Sequence, residues 1–155
     1  MFSSININKY NTHGIIFCDK TRNNIIQYGH FHRIKYSTDI CTSTCMYINF
    51  NLKNVDISKY FSKIKCSFNY TDINSKVINH LKNIELSILQ KFSIHTIGNL
   101  IPKFTLSEQL KHDFLKIFSN KNILLGKKKN MIILLKISGI WTNETEMGIT
   151  FRFFI

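Results

Sequence analysis

Residues 131–141 (Met-Ile-Ile-Leu-Leu-Lys-Ile-Ser-Gly-Ile-Trp) and 149–155 (Ile-Thr-Phe-Arg-Phe-Phe-Ile) alternate with the period of two that marks a β-strand. In the first run Met131, Ile133, Leu135 and Ile137 share a face; in the second, Ile149, Phe151, Phe153 and Ile155 do. The polar, acidic stretch 142–148 joins them, so the pattern predicts a hairpin. Pairing Gly139 with Phe151 and Ser138 with Arg152 turns every hydrophobe inward except Ile140 and Phe154, whereas a one-residue slip would expose the set. That leaves Lys136, Ser138, Ile140, Thr150, Arg152 and Phe154 outside. A small cationic, partly aromatic face of this kind suits a nucleic-acid strand.

Shorter runs at 14–18, 25–28, 31–36, 45–52 and 60–70 also read as strands, separated by polar segments. Residues 1–13, polar and free of acids, read as a loose arm or an edge strand. From Ile73 the period changes: Ile73, Val77, Leu81, Ile84, Ile88 and Phe92 recur at helical steps, with Asp72 placed to cap the first turn. A second helix is predicted over 106–118, burying Leu110, Phe114, Ile117 and Phe118. Thr105-Leu-Ser-Glu108 before it has the capping-box form, and Pro102 separates the two helices. The chain thus reads as one α+β domain, mainly antiparallel β, with two helices inserted before a C-terminal β-hairpin. A small, partly open barrel of the OB type is the architecture expected, because its curved sheet exposes a groove for single strands.

Charge sharpens this picture. Lys and Arg number 21 against 9 acids, a formal +12, so the field favours anionic partners, nucleic acid first. Arg occurs only at Arg22, Arg33 and Arg152, so lysine dominates and backbone attraction is expected to outweigh base-specific readout. No acid falls between Phe114 and Asn143, where Lys116, Lys121, Lys127, Lys128, Lys129 and Lys136 all lie. Heavy use of Ile, Asn, Lys, Phe and Tyr, with no Ala, follows A/T-rich codons and fits a virus, a phage, an organelle or certain bacteria and parasites. The same bias raises lysine at the expense of arginine. No apolar run approaches the ~18 residues of a membrane span, and no secretory leader is recognisable, so an intracellular setting is expected, host nucleus or cytoplasm if viral.

Ser138-Gly-Ile-Trp141 followed by Met147-Gly-Ile-Thr-Phe151 resembles the terminal hairpin of OB-fold single-stranded DNA-binding proteins of phages and large DNA viruses. The match covers about a sixth of the chain. The resemblance implies a replication or recombination accessory protein that coats unwound DNA. The sequence departs from the bacterial form in ending on Phe153-Phe-Ile155 in place of an acidic tail, so recruitment through such a tail is not expected.

The candidate nucleic-acid-binding residues are therefore Lys136, Arg152, Lys127, Lys128, Lys129, Arg33 and Lys35 for phosphates. Trp141, Phe154 and Tyr36 are the candidates for base stacking, although strand parity would turn Trp141 toward the core. The weaker motif His30-Phe-His32 with Cys41 and Cys45 could complete a tetrahedral zinc site, but its spacing is unlike the common zinc knuckles. Hairpin residues are the default reading there, and no cofactor is expected. Nine scattered acids without a catalytic pair, and no nucleophile or phosphate-loop motif, point away from an enzyme. The reading is a binder of single-stranded DNA or RNA. Its rivals are a small viral structural or assembly protein and a small nuclease or zinc-dependent enzyme, which would need bound metal.

Overall fold

Strands dominate because the chain repeatedly alternates inward hydrophobes with outward polar or aromatic residues. The computed structural model describes residues 3–119 and 122–155, so Lys121 lies outside the described residues. In chain order the strands are β1 (Ile5–Asn6), β2 (Ile15–Arg22), β3 (His30–Ser37), β4 (Thr42–Ser43), β5 (Met46–Tyr60), β6 (Lys63–Ser67), β7 (Ile101–Lys103), β8 (Phe114–Phe118), β9 (Gly126–Thr142) and β10 (Glu146–Phe154). Two α-helices, α1 (Asp72–His95) and α2 (Thr105–Leu110), fall between β6 and β8. The residues at 25–28, expected as a strand, belong instead to the loop between β2 and β3, where Ile25 and Tyr28 are exposed.

Five strands close on themselves in the order β5-β6-β8-β10-β9, with β9 returning to pair β5. All neighbours in this ring are antiparallel except β8 and β10, which run parallel. The barrel is thus closed where a partly open one was expected. Ile48, Phe50, Leu52, Cys66, Leu115, Ile117, Ile133, Leu135 and Phe153 are buried within it. Burial pushes the Cys66 thiol up to about 12. The far end of β9 also pairs β3, which carries β2 as one outer edge of the sheet. A bulge between Phe17 and Lys20 interrupts that edge.

The hairpin forms with a different register from the one the alternation implies. Arg152 faces Lys136, Phe151 faces Ile137 and Thr150 faces Gly139, so Ser138 is an extra, bulged residue. One added residue reverses parity beyond it: Ile140 and Thr142 turn inward and are buried, and Trp141 turns outward. The expected outward Ile140 is corrected for this reason. Gly139 is required where β3 crosses, because a Cβ there would collide with the His32 carbonyl oxygen and lie 2.5 Å from the Phe31 ring. Gly139→Ala should therefore lower stability by about 1–3 kcal/mol, read as a shift in the denaturation midpoint. An unchanged midpoint would contradict the crossing as described.

Helix α1 follows the sequence closely. Thr71 is the N-cap, its hydroxyl accepting from the Asn74 amide at 3.3 Å, and Asp72 is the first helical residue, not the cap. The buried stripe runs through Ile78, Leu81, Ile84, Ile88, Leu89 and Phe92, leaving Ile73 exposed on the first turn. Asn74, fully buried, pins the helix start to β5: its side chain accepts from the Lys53 amide and donates to the Lys53 and Asn69 carbonyls, each at 2.9 Å. Among the described residues no helix is long and apolar enough to cross a membrane.

Helix α2 is far shorter than expected. Its N-cap, Phe104, makes no side-chain bond, and the predicted Thr105–Glu108 box does not form. Glu85 of α1 takes its place, accepting from the Leu106 amide (3.0 Å), the Ser107 amide (2.8 Å) and the Ser107 hydroxyl (2.6 Å). Glu108 pairs with Lys111 at 2.7 Å, which holds its carboxyl below the usual range. Asp113, at φ 57°, breaks the helical path, and Phe114–Phe118 continue as β8. The apolar positions 110, 114, 117 and 118 fit a helix, but 115 and 117 against 114, 116 and 118 fit a strand equally well. The barrel decides in favour of the strand.

Candidate nucleic-acid interface

Outward side chains of the barrel strands line up across the sheet. Lys65 on β6 faces Lys116 on β8. The parallel register that sets Ile117 beside Phe153 puts Lys116 beside Arg152 on β10. Arg152 faces Lys136 on β9, and Lys136 faces Tyr47 on β5. Four cations thus stand in one row across four strands, about 14 Å from end to end at ~4.8 Å per strand. Like charges directly opposite one another destabilise a sheet. The two ion pairs found among the described residues, Lys103–Glu146 and Lys111–Glu108, lie outside this row.

Two residues further along, the next outward row is Tyr60, Lys63, Phe118, Phe154 and Leu134. Cations lie over its rings and those beside it. The Lys63 ammonium is 4.5 Å from the Phe118 centroid, Lys65 is 4.4 Å from Phe114, Lys116 is 5.4 Å from Tyr60, and Arg152 is 5.1 Å from Phe118. Phe118 and Phe154 are 6.3 Å apart. At the β5–β6 tip, Phe61 is 94% exposed, adopts φ 55° and meets Tyr60 edge-on at 5.1 Å. A row of cations therefore runs beside a row of rings.

Of the sequence candidates, Lys136, Arg152 and Phe154 fall within these two rows. Lys127, Lys128 and Lys129 open β9, with Lys127 facing Asp56 and Lys128 facing Val55. They flank a cleft that the row also reaches through Lys65. Arg33 and Lys35 are exposed on β3, beyond β9 and apart from the row. Trp141 is half-buried and faces outward, packed over Gly148, where a Cβ would approach its ring to 2.6 Å. Tyr36 is buried, its hydroxyl accepting from the Asn11 amide at 3.1 Å and bonded to the Asn11 carbonyl, which removes it from the stacking surface.

Lys63, Lys65, Lys116, Tyr47, Tyr60, Phe114 and Phe118 were not among the candidates. The signal was present in Lys63-Ile-Lys-Cys-Ser67 and Phe114-Leu-Lys-Ile-Phe118, both of period two. Reading the second of these as helix hid it.

The zinc candidates are not brought together. Cys41 lies against Thr38 beyond the end of β3, about 20 Å along the strand from His32 at ~3.3 Å per residue. Among the described residues no three His, Cys, Asp or Glu side chains are grouped to hold a metal. His32 packs instead on Phe92, ring centroids 4.8 Å apart, with Nδ1 3.3 Å from the Cys18 carbonyl oxygen. Burial lowers its pKa from the ordinary value, partly opposed by that carbonyl. The unfolded chain then takes up a proton at higher pH than the folded one, so stability falls as pH drops through about 6.5 toward the folded value. Thermal unfolding across that range should show the decline, and His32→Gln should flatten it.

Comparison with known proteins finds no matching family model, no similar curated protein and no similar solved structure.

Proposed function

We propose that the chain is a non-enzymatic single-stranded nucleic-acid-binding protein of the OB type, with unpaired DNA as its ligand. On this reading it supports replication or recombination of a viral or similarly A/T-rich genome. The observation that carries the proposal is the uncompensated row Lys65-Lys116-Arg152-Lys136 beside the aromatic row. The barrel's connectivity supports it. A three-strand meander (β5, β6, β8) followed by a hairpin (β9, β10) is a five-stranded Greek-key arrangement, and the rows cross its second and third strands, where such barrels hold oligonucleotides.

The mechanism follows from magnitudes. An exposed ammonium resting on a ring contributes about 0.5–1 kcal/mol, whereas a base stacked on that ring contributes about 1–3 kcal/mol. An arriving base therefore displaces the cation, and the displaced ammonium is left beside the strand's phosphates. Stacking and charge neutralisation together give affinity with weak sequence preference along the row.

A salt-dependent titration against single-stranded DNA, duplex DNA and RNA tests this. Single strands should bind more tightly than duplex, and with four phosphate contacts log K should fall with log salt at a slope of about −3. Equal or tighter duplex binding would refute the proposal.

A second reading, a structural or assembly subunit, is favoured by the exposed Ile94, Ile97 and Ile101 around the end of α1. Concentration-dependent association without nucleic acid, indifferent to loss of the cation row, would establish it instead.

A further inference from the structure

The cation row does not exhaust the outer face of the sheet. Beyond β9 lies β3, outside the ring of five strands, and its outward residues Phe31, Arg33 and Lys35 have no part in the two rows. Phe31 faces Trp141 on β9, and Trp141 faces Gly148 on β10.

Both rings rest on glycine. A Cβ at Gly139 would lie 2.5 Å from the Phe31 ring and one at Gly148 would lie 2.6 Å from the Trp141 ring, so each ring takes the place of a neighbouring side chain. Glycine inside a strand weakens it and marks a close approach. Here two of them, on adjacent strands, seat two half-buried aromatic side chains against the outer face. Among the described residues neither ring meets another ring, and the Trp141 indole N–H has no hydrogen-bond partner yet is not sealed from solvent. A buried indole N–H usually finds a partner, so this one is left open to a ligand.

Position ties the pair to the cations. Along β10 the outward residues run Phe154, Arg152, Thr150 and Gly148, which sets the Phe31–Trp141 pair about 13 Å beyond the cation row at ~3.3 Å per residue. Arg33, exposed, lies between the two, opposite Gly139, which faces Thr150. No acid stands among these positions. The path closes at Lys103, which faces Gly148 and is tied to Glu146 at 3.0 Å. From Phe154 to Gly148 is ~20 Å, the length of roughly six nucleotides at ~3.4 Å each and fewer in an extended strand. One OB barrel holds about 4–16. Continuity with the cation row and the added charge of Arg33 select the same polyanion, not a protein, as the occupant.

We infer that Phe31 and Trp141 form a second stacking platform, and that the bound single strand leaves the barrel across β10 and β9 to finish on β3, with Arg33 on a phosphate between. This rests on the single-strand reading proposed above and adds to it the path of the strand and a second pair of base contacts.

Trp141 is the only tryptophan in the chain, so its fluorescence reports on this platform alone. A twelve-thymine oligonucleotide titrated at low salt should quench it, with the same midpoint as the anisotropy of a labelled copy of that strand. Phe31→Leu combined with Trp141→Leu keeps an apolar side chain over each glycine but removes the ring faces, and should weaken binding about ten-fold or more. Phe31→Tyr combined with Trp141→Phe should leave it nearly unchanged. Binding seen by anisotropy without any change in Trp141 fluorescence would overturn the inference, and needs no variant to fold. Full affinity in the double leucine variant would overturn it as well. A fluorescence change on concentrating the protein without DNA would assign the rings to a second copy, with the same consequence. No binding of the strand by anisotropy would overturn the single-strand reading itself.

Discussion

Replacing Lys65, Lys116, Lys136 and Arg152 together by serine should weaken single-stranded DNA binding by about three orders of magnitude at low salt. It should also make the slope of log K against log salt shallower by about 3. The same variant should stay folded and be destabilised only slightly. Relief of three neighbouring pairs of like charge, worth about 1 kcal/mol in all, offsets most of the loss of the Lys65, Lys116 and Arg152 contacts with Phe114, Tyr60 and Phe118, about 0.5–1 kcal/mol each. The net change is about 1 kcal/mol, or about 2–4 °C for a domain of this size. A large loss of affinity on an intact fold is what separates a ligand-binding surface from a merely solubilising one. Lysines that only kept the surface wet would leave affinity for single strands little changed. A loss of affinity accompanied by unfolding at the assay temperature would mean that the residues act through the fold, and the row would lose its assigned role.

Glu85→Ala should be the most damaging single change, costing about 3 kcal/mol or more in chemical denaturation. Glu85 is fully buried in α1, and its two oxygens are the acceptors for the start of α2. Truncation leaves the Leu106 and Ser107 amides without partners in a site water cannot easily fill. Glu85→Gln, retaining one acceptor oxygen, should fall between the two. Because α2 leads through Asp113 directly into β8, loosening it also unsettles Lys116 and Phe118. A full-strength alanine variant would show that α2 is held by its apolar contacts alone.

Those two sites differ in how far they could be read from the chain. The outward placement of Lys136, Arg152 and Phe154 follows from alternation, which survives an error in register so long as the shift is even. Below the bulge the shift is two residues, and the face is kept; above it the shift is one, and Ile140 and Trp141 exchange sides. Gly139, a glycine inside a strand, marks the place for a bulge or bend, but its effect on register is not legible locally, since the crowding by His32 and Phe31 comes from β3. Long-range contacts of this sort carry no sequence period.

Helix α1 was legible because seven turns average out local noise, whereas α2 and β8 share a run short enough to satisfy both periods. The cap on α2 was hidden for a different reason. Its acceptor comes from Glu85, 21 residues away, and no nearby motif can reveal a partner supplied by packing. The cleft was invisible for the same reason, since Asp56, Lys65, Asp113 and Lys127 come from four separate segments. Tyr36 shows the converse: it alternates regularly within β3, but which side of that strand faces the interior is decided only where the N-terminal segment lies against it.

The strand at one open margin of the sheet, β2, carries Asp19, Lys20 and Arg22 and is interrupted by its bulge, features that discourage another chain from adding to it. If the chain coats single strands as proposed, neighbouring molecules along one polynucleotide would not zip into a continuous ribbon through this strand. Any tendency to fill adjacent stretches would have to be transmitted by the polymer beneath them. Such a coat could be stripped one molecule at a time.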